Sequence, residues 1–466
     1  MTVYSSNSNE ILTKAEALRS TLSSGFRDEI VKSLYAEAEQ IAKRAVMAGK
    51  EKKYDLDQKI DRLVTSPIFG LPIMLILLSL VFWLTITAAN VPSNLIATGL
   101  FWVEDKASAL FTHWGIPWWI TGFIWHGTYR GLAWVVSVML PPMAIFFPMF
   151  TILEDLGYLP RVAFNLDWLF RKAGAHGKQS LTMAMGFGCN AAGVIATRVI
   201  DSPRERLIAI LTNNFVPCNG RFPTLIMLAT VFVAASFSPA FASFAAAGTV
   251  VGVVLVGVFF TLLVSWGLSR TILKGEASAF TLELPPYRRP KIGQILYTSL
   301  IDRTIFVLWR AIMTAAPAGA VIWILGNIPV GGTSLAQQIA NFLNPFGLLL
   351  GLDGVILLAY IIAIPANEIV VPTMMMMYLG VGMMTDIPGL TELHTLLVSQ
   401  HGWTMLTAVN LMLFALLHNP CATTILTIFK ETKSWKWATV SVVITLGIAF
   451  LVTFLTASVA RLAGWV

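Results

Sequence analysis

Long apolar stretches alternate with short polar joints along the 466-residue chain. Runs near the 20 residues that a helix needs to cross a bilayer fall at 68–90, 131–152, 206–235, 241–268, 304–325, 403–428 and 436–460, which predicts seven full crossings. Two further apolar regions, 179–198 and 347–379, are interrupted by Gly, Pro, Asn or Glu and read as broken or re-entrant helices. Residues 91–130 hold Trp102, Trp114, Trp118, Trp119 and Trp125, a content that suits interfacial helices at headgroup level. Residues 1–66 are polar. Within them Ile30, Leu34, Ala38, Ile41 and Val46 recur near helical spacing and predict an amphipathic helix over 30–46. That helix is either a solvated stub or a docking arm for a soluble partner. No cleavable signal pattern precedes the first apolar run.

Composition agrees with a membrane chain. Apolar residues make up 56% and charged ones 12%, and mean hydropathy is +0.72. Soluble domains carry about 25% charged residues, so this chain has too few charges to coat an aqueous surface. The net charge of +7 does not predict a nucleic-acid partner, because the basic residues cluster in short joints between apolar runs. These joints are 50–62, 161–178, 198–206, 270–303 and 430–436, while 236–240, 326–340 and 380–400 contain no Lys or Arg. Cytoplasmic loops carry the basic excess, so the first group and the N-terminus are expected in the cytoplasm. Segment 179–198 then enters from the cytoplasm and segment 347–379 from outside. Two broken elements inserted from opposite faces predict an inverted repeat with a binding site where they meet.

The candidate chemistry lies at the breaks. Each of the three cysteines stands in an apolar segment beside a helix breaker or an amide, in Gly188-Cys189-Asn190, Pro217-Cys218-Asn219 and His418-Asn419-Pro420-Cys421. Gly and Pro free backbone carbonyls at membrane depth, which is tolerated where they line a cavity or are buried in protein. Thiols, amide oxygens and freed carbonyls form a mixed soft and hard ligand set, better suited to a borderline cation such as Fe²⁺ than to Mg²⁺ or Ca²⁺. A lone membrane cysteine is ordinarily a packing residue, and only the repetition of the context argues otherwise. Glu368, in Pro365-Ala366-Asn367-Glu368, is a candidate ligand or proton acceptor, since a carboxylate in the bilayer costs roughly 2.5–3.5 kcal/mol and is rarely idle. The run Met374 to Met377 reads as packing. Glu154 and Asp155 close the second apolar run, either as an exit site for a cation or as partners of Arg161. His418 stands three residues before Cys421, on one face if the helix is unbroken, as a ligand or a hydrogen-bonded core histidine. No phosphate-binding loop or nucleophile elbow occurs, so no enzymatic activity is expected of this chain.

The residues also resemble a known family. Leu153-Glu154-Asp155-Leu156-Gly157-Tyr158, Arg161-Val162-Ala163-Phe164, Gly186-Phe187-Gly188-Cys189-Asn190, Ala196-Thr197-Arg198 and Pro203-Arg204-Glu205-Arg206-Leu207 are similar to the membrane region of the ferrous iron transport protein B (FeoB) family. So are Leu284-Pro285-Pro286-Tyr287-Arg288, Glu368-Ile369-Val370-Val371, Pro420-Cys421 and the lead-in to the first span, Asp61-Arg62 with Ile68-Phe69-Gly70-Leu71-Pro72. The resemblance runs from about residue 30 to the C-terminus. It implies an all-α polytopic fold with two inverted gate repeats of the nucleoside-recognition type and about 7–10 membrane segments. It also implies Fe²⁺ uptake at a prokaryotic cytoplasmic membrane, with Fe²⁺ as cargo and no permanently bound cofactor. Cys189, Cys218 and Cys421 match family cysteines. Glu368 matches a carboxylate that in many members follows lysine, where this chain has Asn367. The implied organisation is a cytoplasmic stub like the end of the family's spacer at 1–66, a first span with interfacial helices at 67–130, gate repeats at 131–270 and 304–466, and a basic linker at 271–303. The family's GTP-binding domain does not fit in 66 residues, so either a separate GTPase subunit docks on residues 25–62 or transport runs without nucleotide. A homo-oligomer stays open, as does a nucleoside or other organic cargo, or a metal-sensing subunit that passes no ion.

Overall fold

The computed structural model describes Lys14 and residues 26–45, 56–66, 68–274, 286–385 and 389–464. Part of the expected docking arm, 46–55, and part of the basic linker, 275–285, lie outside the described residues. Helices dominate. The strands among the described residues are Pro329–Val330 and Thr333–Ser334, which pair across Gly331 and Gly332, both at positive φ.

The N-terminal arm is helix α1, Phe26–Ala45, with Ile30, Leu34 and Ile41 exposed. Helix α2, Leu56–Val64, leads to α3, Gly70–His113, which is one unbroken helix of 44 residues. The stretch from 91 to His113, expected as separate interfacial helices, is thus a continuation of the first helix. Polar residues such as Asn94, Glu104 and Lys106 end the apolar run, but backbone hydrogen bonding continues through them, so hydropathy understates the helix. At 1.5 Å per residue α3 is about 66 Å long, twice the hydrocarbon thickness. After a turn at Gly115 (φ +70°), residues from Trp118 pass through a π-helical stretch, Gly122–Tyr129, into α4, Arg130–Asp155.

The first repeat continues as α5 (Tyr158–Lys172), α6 (Gln179–Gly188), α7 (Asn190–Ala196), α8 (Pro203–Thr212), α9 (Phe222–Leu228) and α10 (Pro239–Arg270). Ser202 caps α8 through its hydroxyl and Pro203 opens it. The 206–235 stretch is therefore not a full crossing. Asn213, Asn214 and the polar insert Cys218 to Arg221 divide it into α8 and α9. The second repeat has α11 (Ile292–Tyr297), α12 (Phe306–Asn327), α13 (Leu335–Leu349), α14 (Gly354–Ile362), α15 (Val370–Leu379), α16 (Met405–Leu417), α17 (Ala422–Thr432) and α18 (Trp435–Leu462). Among the described residues six helical stretches are long and apolar enough to cross a membrane, and α13 with α14, bent by 111°, form a seventh candidate.

Glycines let α12 approach the start of the second span. A Cβ on Gly122 would lie 2.3 Å from the Trp323 ring, and one on Gly131 2.9 Å from the Cα of Gly319. Small residues at such crossings give the backbone contact that packing in lipid relies on.

At the opposite end of α4 three distant segments meet. Buried Arg161 donates from Nε and Nη2 to both oxygens of Asp61, at 2.9 and 3.1 Å, and from Nη1 to the Gly157 carbonyl at 2.8 Å. Tyr287 donates to Asp61 at 2.8 Å, and its ring lies 4.2 Å under the guanidinium. The two Asp61 oxygens match the guanidinium geometry, which makes this fork a bidentate pair. The Arg161 hydrogen bond holds the Asp61 carboxyl below its usual range, against the opposing effect of burial, and burial pushes the Tyr287 hydroxyl up to about 12. A depressed carboxyl contributes stability above its unfolded value, near 3.9, and loses it as pH falls through the lower folded value. The clamp should hold at neutral pH and release only below about pH 4. Asp61→Asn should lower the melting temperature at pH 7 by a few degrees, with the gap to wild type closing on acidification. An equal gap at pH 3 and pH 7 would count against this assignment.

Candidate functional site

The chain interrupts its helices twice in each repeat, in the same order. At Cys189, between α6 and α7, the backbone is extended (φ −159°, ψ 125°) and Asn190 follows. At Ala366, between α14 and the turn Asn367–Ile369 that opens α15, it is extended again (φ −152°, ψ 116°) and Asn367 follows. The second interruption is Pro-Cys in both repeats, Pro217-Cys218 before α9 and Pro420-Cys421 before α17. Proline supplies no N–H and disfavours helix in the residue before it. Packing then crosses between repeats. Helix α7 lies on α17, and α9 touches α15 and α16.

Arg221 ties these breaks together. It is 1% exposed and its guanidinium donates to the carbonyls of Asn214 (2.7 Å), Leu416 (2.7 Å), His418 (3.1 Å) and Asn419 (3.3 Å) and to Asn214 Oδ1 (3.2 Å). The carbonyls belong to both repeats and are the ones that interrupted helices leave unpaired. Asn214 Nδ2 also donates to the His418 carbonyl at 2.7 Å. One residue before Arg221, Gly220 meets the second repeat directly. A Cβ there would lie 2.1 Å from Glu368 Oε1, so the carboxylate of one repeat rests against the bare backbone of the other.

Cys218 is buried and Cys189 and Cys421 are part-buried at their breaks, and Glu368 is buried in the second repeat. Cys421 Sγ lies 3.3 Å from the Thr424 hydroxyl. Asn219 borders a cavity of about 300 Å³ with Asn90 and Phe187. A second cavity of about 540 Å³ is lined by Ala191 and Thr423, each two residues past a break cysteine, and carries Glu154 and Arg310 among mainly apolar walls. Glu154 and Asp155 both border a third hollow with Arg288 and Arg289, and both carboxylates are exposed.

Other candidates serve the scaffold. Asn190 is buried, its carboxamide 3.2 Å from that of Asn214 and its carbonyl accepting from Asn213 at 3.0 Å. With its amide turned the other way, the nitrogen reaches the carbonyls of Gly186 and Val216 at 3.3 and 3.2 Å. His418 does not share a helical face with Cys421, because α16 ends at Leu417 and His418 is extended (ψ 173°). Its Nδ1 lies 2.9 Å from the Ala415 carbonyl and its Nε2 3.3 Å from Asn367 Oδ1. Both ring nitrogens are engaged, so it positions the break rather than offering a free ligand. Met374 to Met377 are all buried packing residues. Among the described residues no three His, Cys, Asp or Glu side chains converge closely enough to hold a metal ion. Sequence reasoning missed Arg221, although a lone arginine inside the 206–235 run was a visible signal.

Broken helices from two repeats, meeting around thiols and a buried carboxylate, define a polytopic membrane protein of the gate class. Family models agree. One described as "Nucleoside recognition" (Gate) matches residues 136–232 and 308–435, and one described as "Ferrous iron transport protein B C terminus" matches residues 250–302. Together they span more than half of the chain, and the chain belongs to the ferrous iron transport protein B family. It is 27% identical to a Staphylococcus aureus "Fe(2+) transporter FeoB" over 98% of its own length and 68% of the relative's. It is 29% identical to a Synechocystis protein of the same name over 88% of its length and 64% of the relative's. It is 26% identical to a Porphyromonas gingivalis "Fe(2+) transport protein A/Fe(2+) transporter FeoB fusion protein" over 86% of its length and 51% of the relative's. No solved structure matches the chain.

Proposed function

We propose that the chain is a permease for a divalent transition-metal cation, with Fe²⁺ as cargo, taken up across the cytoplasmic membrane with the N-terminus inside. One observation supports the reading: the interruptions of both repeats pack on one another, with Glu368 of one against Gly220 of the other beside the Pro-Cys breaks. An ion in transit needs ligands good enough to replace its water yet loose enough to release it. Thiols contributed one at a time from separate breaks, with Glu368 and the Asn219 amide, suit that requirement. The path assigned is Asn219, Cys218 and Glu368, then Cys189 and Cys421, then the cavity bordered by Glu154. No bond is made or broken, so the role is transport rather than catalysis. Two charges falling through 100 mV, inside negative, gain about 4.6 kcal/mol, enough for roughly 10³-fold accumulation. The exposed apolar stripe of α1 is the proposed docking place for a separate GTPase subunit. An organic cargo is less favoured, because the match outside the gate repeats is to an iron-transport segment.

Uptake of Fe²⁺ into proteoliposomes under an imposed potential tests the path. Replacing Cys189 and Cys218 together by Ala should reduce flux at least tenfold while leaving the detergent-solubilised protein monodisperse. Wild-type flux from that variant would remove the thiols from the path. Binding without flux in the unmodified protein would instead favour a sensing subunit.

A further inference from the structure

Far from the thiols, at the end of the molecule away from the Asp61 clamp, a second polar cluster lies buried. Glu104 on α3 is 1% exposed. Its Oε1 lies 2.6 Å from His126 Nδ1 and 3.4 Å from Arg130 Nη1. A carboxylate accepts, so the hydrogen of this contact sits on His126 Nδ1, and Nε2 is the ring nitrogen the contact leaves over. A carboxylate holding one ring nitrogen so that the other can bind is the arrangement found behind metal-ligating histidines. His126 lines a cavity of about 320 Å³ with Thr121, Asn327 and Met383.

Two further observations point into this cavity. Thr121 is 6% exposed, and its hydroxyl has no hydrogen-bond partner among the described residues. A buried hydroxyl without a partner costs free energy unless something in the cavity engages it. Asn327 donates both amide hydrogens to backbone, to Trp323 O at 2.9 Å and Gly382 O at 2.5 Å, so its oxygen is what it can offer. Imidazole nitrogen with neutral oxygens favours a transition metal over Mg²⁺ or Ca²⁺, while the Met383 sulfur accepts from Arg130 Nη1 and is already engaged. The full charges in the cluster, Glu104 and Arg130, offset one another.

The bordering segments include 326–340 and 380–400, which contain no Lys or Arg, so the positive-inside rule puts this cavity on the outer face. We propose that His126, backed by Glu104 and joined by Thr121 and Asn327, is an outer capture site for a divalent transition-metal cation. The site rests on the permease reading for its purpose and deepens it by naming where cargo is first dehydrated.

The test uses the full chain in detergent with Co²⁺ as probe, in a background with Cys189, Cys218 and Cys421 replaced by Ser to silence the thiols. Visible absorption should report a bound Co²⁺ that is weakened at least tenfold by His126→Ala and less strongly by Thr121→Val, and unchanged by His113→Ala on the exposed end of α3. An unchanged Co²⁺ isotherm in both His126→Ala and His126→Gln, or no Co²⁺ bound in the background protein, overturns the site. In proteoliposomes carrying the native cysteines, His126→Ala should raise the Fe²⁺ concentration for half-maximal flux at least tenfold with maximal flux retained. Absent flux in the wild type would defeat the permease reading, while the Co²⁺ titration would still decide the capture site.

Discussion

Replacing Arg221 by Met is expected to abolish flux and to destabilise the membrane domain by about 1–3 kcal/mol, the cost of leaving buried acceptors without their donor. The side chains are of similar length, so the loss is not a cavity effect. It arises because the carbonyls of Asn214, Leu416 and Asn419 would lose their donor, while that of His418 would keep only Asn214 Nδ2. Each unsatisfied group costs about 1–3 kcal/mol before relaxation. Arg221→Lys keeps the charge but has one nitrogen where the fork donates from two, Nη1 and Nη2, so it should recover stability only in part. Thermal unfolding in detergent and metal flux would be measured on both variants. If Arg221→Met melts and transports as the wild type does, the two repeats are not held together through this residue.

The second large effect is expected at Gly220. Any side chain there meets the Glu368 carboxylate, with the added carbon 2.1 Å from Oε1, so either the backbone or the carboxylate must move. Overpacking of this kind costs about 1–3 kcal/mol. Gly220→Ala should therefore lower stability and reduce flux at least tenfold. Glu368→Ala alone should reduce flux as strongly, because the proposed ligand is gone, with a smaller loss of stability. The double variant separates the two effects. Removing the carboxylate makes room for the methyl group introduced at Gly220, so stability should return toward that of Glu368→Ala while flux stays low. Strict additivity of the two stability losses would mean that the residues do not touch.

Much of the architecture was legible before any coordinates. The cysteine contexts marked three of the four helix interruptions, and Pro365 with Asn367 and Glu368 marked the fourth. Proline and glycine change backbone preference locally, and a local preference can be read from the chain. Hydropathy was less reliable at boundaries. It ended the first helix near residue 90, although the backbone runs on to His113, because polar side chains change what a helix faces without stopping it. It also joined 206–235 into one span, since Asn213, Asn214 and Arg221 are too few to lower a window average yet sufficient to mark a break. Glu368 drew notice as a charge in an apolar segment, and the same reasoning applied to Arg221 would have found the residue at the seam.

By itself the sequence determined the solvent, the helical class, the family and the places where helices are interrupted. All of these follow from composition or from neighbouring residues. The tertiary structure alone decided which interruptions meet, that Arg161 pairs with Asp61 across 100 positions of chain, that His418 lies against Ala415 and Asn367, and that His126 lies against Glu104. Partner choice among distant polar groups depends on distances of a few ångströms, and those are fixed only when the helices pack.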